Sequence, residues 1–171
     1  GTAARVQRAI IKSFYGLALA HHNAHAIFQN PDDLKLFRDA RLVDPAITSM
    51  IKGCGVDMTA FAPRDEPGGP PVVMFPARIL GDKGVHEFFE AARILKQRGS
   101  GARFVLVGRT DPDNPTDVGE AGIKAWTDEG IVEWWGFAED MATTLAQAHI
   151  VCMPSYREGL PRVLIEAAAL A

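Results

Sequence analysis

Two stretches set charged side chains beside turn residues in a pattern with chemical meaning. In "ARILGDKG", Arg78 stands five residues before Lys83. A fork-shaped guanidinium and a compact ammonium at one loop suit a diphosphate. In "SYREGLPRVLIEAAA", Glu158 and Glu166 bracket a Gly-Leu-Pro turn and a Val-Leu-Ile run, seven residues lying between them. A carboxylate beside such an apolar run needs partners, and two vicinal ribose hydroxyls could donate to both its oxygens. Plainer readings stand beside these. Arg78 and Lys83 could be solvated, one of them pairing Asp82, and Arg162 and Glu166 could form an i,i+4 surface pair worth about 0.3 kcal/mol.

The elements around these residues decide which reading gains weight. "PVVMFPARI" reads as a continuous apolar strand, followed by a helix over "GVHEFFEAARILKQRG" with Val85, Phe88, Phe89, Ala92 and Leu95 on one face and Gly99 as its stop. "ARFVLVG" is a buried strand ending at Gly108, "DVGEAGIKAWTDEG" a weaker helix, "IVEWWGF" a strand, "DMATTLAQA" a helix and "HIVCMPS" another buried strand. Pro161 is expected at the first position of the last helix, where its missing N–H costs nothing. Alternating strands and helices, with strands apolar throughout, imply a Rossmann-like α/β fold: a parallel sheet with helices on both faces. Such sheets bind ligands outside the carboxyl ends of their strands, so the loops to search are 76–84, 108–117 and 154–161. Lys83 then falls near a helix start, whose free N–H groups and positive dipole end favour anions. Glu158 and the Gly159 and Leu160 amides face the same crevice.

Upstream, "RVQRAIIKSFYGLALA" spaces Val6, Ile10, Phe14 and Leu17 as an amphipathic helix. "HAIFQN" reads as a short strand, Asn30-Pro31-Asp32-Asp33 as a helix start, and "AITSM" as a strand that dissolves into Gly and Pro. The expected organisation is the end of one Rossmann-like domain over 1–52, a linker over 53–70 and a second, nucleotide-binding domain over 71–171. The chain opens on a helix and stops inside one, so a piece of a larger protein is expected.

The 171 residues carry a net charge of −3, against the basic face of a nucleic-acid binder. Residues 1–62 hold seven Lys/Arg and five Asp/Glu, and residues 63–171 hold eleven and sixteen, a weak asymmetry. Cys54 and Cys152 suggest neither a zinc site nor a disulfide framework; Cys152 reads as a small buried hydrophobe. With no apolar run of about 18 residues and no cleavage pattern, the expected setting is cytoplasmic.

Taken together, "PARILGDKG", "EFFEAARILK", "ARFVLVG", "VEWWGFAEDM" and "PSYREGLPRVLIEAAA" resemble the nucleotide-sugar-binding half of glycosyltransferase family 4, enzymes of the two-domain GT-B architecture, with Glu158-x7-Glu166 as that family's E-x7-E motif. "HAIFQNPDDLKLF" and "IKGCGVDMTAFAP" are similar to the end of the amino-terminal domain and the interdomain crossing. The resemblance is strongest to bacterial members that transfer sugars onto polyprenyl-linked or other surface-glycan acceptors. It implies an incomplete GT-B glycosyltransferase. Arg78 and Lys83 would stabilise the leaving diphosphate and Glu158 would orient the donor sugar, these three forming the catalytic set. Gly108, Phe137, Gly159 and Leu160 would line the donor site, and Glu166 would hold the ribose. The resemblance further implies a UDP-sugar donor, retention of anomeric configuration and no metal or other cofactor, fixed cations doing the work of a divalent ion. The acceptor would be a glycan or polyprenyl-linked sugar, and the whole protein would associate peripherally with the inner face of the membrane. The family's acceptor-side domain and its histidine would lie upstream of Gly1, so this piece is expected to bind donor only. The competing readings are a non-catalytic nucleotide- or phosphosugar-binding module and a structural α/β domain.

Other residues invite less. His21 and His25 have zinc-like i,i+4 spacing but no further partner, so a turn is the better reading. Trp134 and Trp135 adjoin in a strand and must face opposite ways, in core or interface. Asp111, Asp113 and Asp117 in "RTDPDNPTD" read as a surface loop near the donor site.

Overall fold

The structure is a computed structural model that describes residues 2–171. The chain divides into two compact units, Gly1–Cys54 and Gly55–Ala171.

In the first unit, helix α1 (Thr2–Leu19) is followed by strand β1 (Ala26–Phe28), helix α2 (Pro31–Asp39), a 3-10 turn (Pro45–Ile47) and strand β2 (Thr48–Met50). β1 and β2 pair in parallel, Ala26 opposite Thr48. α2 starts where the sequence signals it: Asn30 is the cap, its Oδ1 accepts from Asp33 N at 2.8 Å, and Pro31 follows. Tyr15 meets Phe37 edge-on at 5.0 Å, and Phe37 meets Phe28 at 5.3 Å. The apolar stripe Val6, Ile10, Phe14 and Leu17 of α1 is exposed.

The second unit holds a four-stranded parallel sheet of β3 (Val72–Pro76), β4 (Arg103–Val107), β5 (Glu133–Trp134) and β6 (Ile150–Val151), in the order β5-β4-β3-β6. Helices α3 (Val85–Gln97), α4 (Gly119–Asp128), α5 (Met141–Leu145) and α6 (Arg162–Leu170) complete it. β3 and residues 104–107 of β4 alternate between two cores, which is why they read as apolar without interruption. Phe75, Phe104 and Leu106 join Val85, Phe88, Phe89 and Ala92 of α3 and Ile123 of α4 on one face. Val72, Met74, Val105 and Val107 join Leu145 of α5 and Leu170 of α6 on the other.

Two local expectations are corrected and a third is met. Leu95 lies outside the buried stripe of α3 and is exposed. Pro161 is the residue before α6, in extended conformation, not its first helical residue. Trp134 and Trp135 do face opposite ways, but both serve the two cores, neither presenting a ring to solvent alone. Within residues 53–70, Phe61 packs against the second core and Arg64 N donates to Leu170 O at 3.0 Å, so this Gly/Pro-rich stretch is tied to α6 from Phe61 onward. Among the described residues no helix is long and apolar enough to cross a membrane.

Candidate functional site

Strand order places the site. Counting within the second unit, the first strand (β3) lies between the second (β4) and the fourth (β6). The chain winds one way from β3 to β4 and β5, then reverses to β6. This reversal beside β3 marks the carboxyl ends of the strands around it as the place where doubly wound folds take their ligands.

The loop after β3 carries Arg78, then a 3-10 turn (Gly81–Lys83) leading into α3. The loop after β6 carries Ser155, Tyr156 and Glu158. Two glycines allow the loops to approach. Gly84 has φ +79, and a Cβ there would stand 2.1 Å from the Pro154 carbonyl oxygen. At Gly108, after β4, a Cβ would stand 1.9 Å from Ala77 O. Backbone lies against backbone at both positions, so no side chain can give way. Gly108 N donates to Gly136 O at 2.7 Å and its own carbonyl accepts from Trp134 Nε1 at 2.9 Å. Further bonds fix the β6 loop over the 3-10 turn: Tyr156 N donates to Asp82 O at 3.1 Å, Ser155 Oγ to the same oxygen at 3.2 Å, and the Tyr156 hydroxyl to Glu87 on α3.

Across this junction Lys83 Nζ donates to Glu158 Oε1 at 2.6 Å, both side chains largely withdrawn from solvent. Burial pushes the Glu158 carboxyl up, but the bonds from Lys83 and Ser155 and the charges of Lys83 and Arg78 outweigh it, and the group sits below the usual glutamate range. Arg78 Nη1 donates to Asp111 Oδ2 at 2.6 Å.

Two cavities open here. One, of about 350 Å³, is lined by Pro76, Ala77, Val107, Gly108, Phe137 and Met141, with Arg109 above the Phe137 ring at 3.9 Å from its centroid. Its walls are mostly apolar, suited to a ring. The other, of about 410 Å³, is lined by Leu80, Asp82, Lys83, Asn114, Tyr156 and Arg157, and is polar. Arg78 belongs to both. Larger hollows, of about 570 Å³ beside α1 and α2 within the first unit and of about 540 Å³ beside α6 within the second, are lined by none of these residues.

Of the residues singled out from sequence, the structure thus brings Arg78, Lys83 and Glu158 together at the switch point, and Gly108 and Phe137 beside them. Gly159 and Leu160 continue the β6 loop but line neither cavity. Glu166 is the exception to the expected crevice-facing set. It is 5% exposed, its Oε1 accepts from Arg162 Nε at 2.8 Å, and it lines neither cavity. Sequence reasoning flagged the loops that carry Arg109, Asp111 and Gly84 and placed Asp111 near the donor site, but it gave no role to any of the three. What it lacked was the partner of each, which the sheet order supplies. Cys152 packs against the first core, and burial raises its thiol. Among the described residues no cluster of three or more His, Cys, Asp or Glu could hold a metal.

The chain is similar to known proteins. The chain is 32% identical, over 99% of its length and 46% of the relative's, to the N,N'-diacetylbacillosaminyl-diphospho-undecaprenol alpha-1,3-N-acetylgalactosaminyltransferase of Campylobacter jejuni. It is 31% identical, over 70% of its length and 31% of the relative's, to a putative colanic acid biosynthesis glycosyltransferase of Salmonella typhimurium. The chain therefore spans at most about half the length of these relatives. Among solved structures it superposes on HepE of Anabaena in complex with UDP-glucose with a TM-score of 0.72, at 22% identity, covering 92% of this chain and 46% of the other. It also matches WaaG, a glycosyltransferase of lipopolysaccharide biosynthesis, with a TM-score of 0.65 at 16% identity, over 84% of this chain and 41% of the other. The fold is that of the GT-B glycosyltransferases over the part covered. Residues 70–171, which contain both cavities, match the family described as "Glycosyl transferases group 1", and the chain belongs to that family.

Proposed function

We propose that this chain holds the donor site of a glycosyltransferase that moves a sugar from a UDP-sugar to a lipid-linked or surface-glycan acceptor. The observation that carries the reading is the shared wall. Arg78 lines both an apolar cavity, roomy enough for a base, and a polar one that holds Lys83. A nucleotide diphospho-sugar is built in the same order: ring, diphosphate, sugar.

In this reading the base lies against Phe137 and Arg109, and Arg78 and Lys83 face the diphosphate. Both cations act most strongly as the glycosidic bond breaks, when negative charge accumulates on the leaving UDP; cations placed in advance lower the barrier because nothing must reorganise. Glu158 orients the donor sugar and holds Lys83 in position. Glu166 keeps the E-x7-E spacing of family 4 but, buried and paired with Arg162 outside both cavities, takes no part in holding the ribose in this reading. Retention of configuration and the absence of a metal requirement follow the same resemblance, as does peripheral attachment to the membrane that carries the acceptor. Support for the acceptor class comes from the Campylobacter relative, whose name specifies an undecaprenol-linked substrate.

Calorimetry with UDP, GDP and ADP tests the donor assignment, and a panel of UDP-sugars with a polyprenyl-linked acceptor tests transfer. Micromolar binding of UDP above the other two nucleotides is expected. Failure to bind any of the three refutes the reading; binding without transfer by the complete protein leaves a non-catalytic nucleotide module.

A further inference from the structure

Arg78 alone lines both cavities, so whatever fixes its guanidinium fixes the junction between them. Asp111 does this, its Oδ2 accepting from Arg78 Nη1 at 2.6 Å across 33 residues of sequence. The backbone that carries this carboxylate is braced. Asp111 N donates to Asp117 Oδ1 at 3.0 Å, Asp111 O accepts from Asn114 N at 2.8 Å, and Asp117 N donates to Asn114 O at 3.0 Å. The loop is then fastened to the Arg78 segment: Ile79 N donates to Arg109 O at 3.1 Å and Gly81 N to Thr116 O at 2.8 Å. Arginine has the largest rotamer freedom of the side chains involved, and an anion that must first order it loses affinity. A guanidinium carries five N–H donors, and the bond to Asp111 engages it through Nη1, leaving the Nε edge for a second anion.

We infer that Asp111 is a positioning residue for the donor diphosphate, holding the Arg78 guanidinium at the junction of the base and sugar cavities before the ligand arrives. This rests on the donor site proposed above. The opposite role is physically distinct: a carboxylate that merely competed for Arg78 would weaken diphosphate binding, and its removal would strengthen it.

The test is calorimetric titration of UDP into the complete protein, comparing wild type, Asp111→Asn, Arg78→Ala and the double variant, with thermal melting as a check on folding. Asp111→Asn is expected to weaken UDP about tenfold while Arg78 is present. In the Arg78→Ala background the same change is expected to leave UDP unchanged or slightly tighter, because only repulsion is removed. Asp111→Glu is expected to recover part of the loss. Where Asp111→Asn folds poorly, Asp111→Ser gives the same comparison. An equal loss in both backgrounds, or tighter UDP binding by Asp111→Asn with Arg78 intact, overturns the inference. Unchanged binding by Asp111→Asn overturns it too and leaves the donor site standing, whereas no UDP binding by wild type removes both.

Discussion

Gly84 is the residue whose replacement separates loop contact from backbone strain. It has φ +79, and Gly119 has φ +71, so alanine meets nearly the same intrinsic penalty at each, about 1 kcal/mol. Their surroundings differ. At Gly119 nothing lies within 4 Å of a built Cβ, whereas at Gly84 the Pro154 carbonyl oxygen would stand at 2.1 Å and its carbon at 2.6 Å. Reaching ordinary contact at 3.4 Å requires the β6 loop to retreat by 3.4 − 2.1 = 1.3 Å. Overpacking of that size adds about 1–3 kcal/mol. Gly84→Ala is therefore expected to cost about 3 kcal/mol and Gly119→Ala about 1 kcal/mol, or roughly 10 °C and 3 °C of melting temperature for a chain of this size. The retreat also stretches the 2.6 Å bond between Lys83 and Glu158, so Gly84→Ala should lose UDP affinity and Gly119→Ala should keep it. Urea unfolding and calorimetry on the two variants check this. Equal destabilisation and equal UDP affinity would show that the loops do not depend on the close approach.

Lys83→Ala leaves a partly buried Glu158 without its cation and removes a charge facing the diphosphate; UDP affinity should fall by about 2 kcal/mol, read by calorimetry. Because the Glu158 carboxyl is held below its ordinary value, the stability contributed by the Lys83–Glu158 pair is complete above the unfolded value near pH 4 and is lost as pH falls through the lower folded value. Melting temperatures of wild type and Glu158→Gln should accordingly converge at the acid end. Arg103 grips Glu133 through Nε at 2.7 Å and Nη2 at 2.6 Å, joining β4 to β5; both side chains are over 40% exposed, so Glu133→Gln should cost only about 1 kcal/mol, seen as a melting shift of roughly 3 °C. Phe137→Ala removes the ring beneath Arg109 and a wall of the apolar cavity, and UDP binding should weaken by about fivefold in the same titration.

The parts of this fold legible in the sequence are those set by neighbours along the chain. β3 and β4 read as strands because both their faces are buried and, apart from Arg103 at the start of β4, every side chain is apolar. α2 was readable from Asn30 and Pro31 because a cap acts on its own first turn. Local signals misled where a distant partner decides. The Gly and Pro of residues 53–70 report a turn-rich backbone, and nothing in them shows that Phe61 and Arg64 attach to α6. For Glu166, spacing permits the i,i+4 bond to Arg162 on either an exposed or a buried face, and only packing reveals that the carboxylate is interior while Arg162 remains outside. The site follows the same division. Arg78 and Lys83 could be found because six residues of one loop carry both cations. Their anions lie 33 and 75 residues away, in loops that meet them only because β3 sits between β4 and β6. Hydrophobic periodicity gives the kind of each element and not its place in the sheet, so it could name the charges without pairing them. Pairing is what distinguishes a solvated arginine and lysine from two cations held in advance at one crevice, and strand order supplies it.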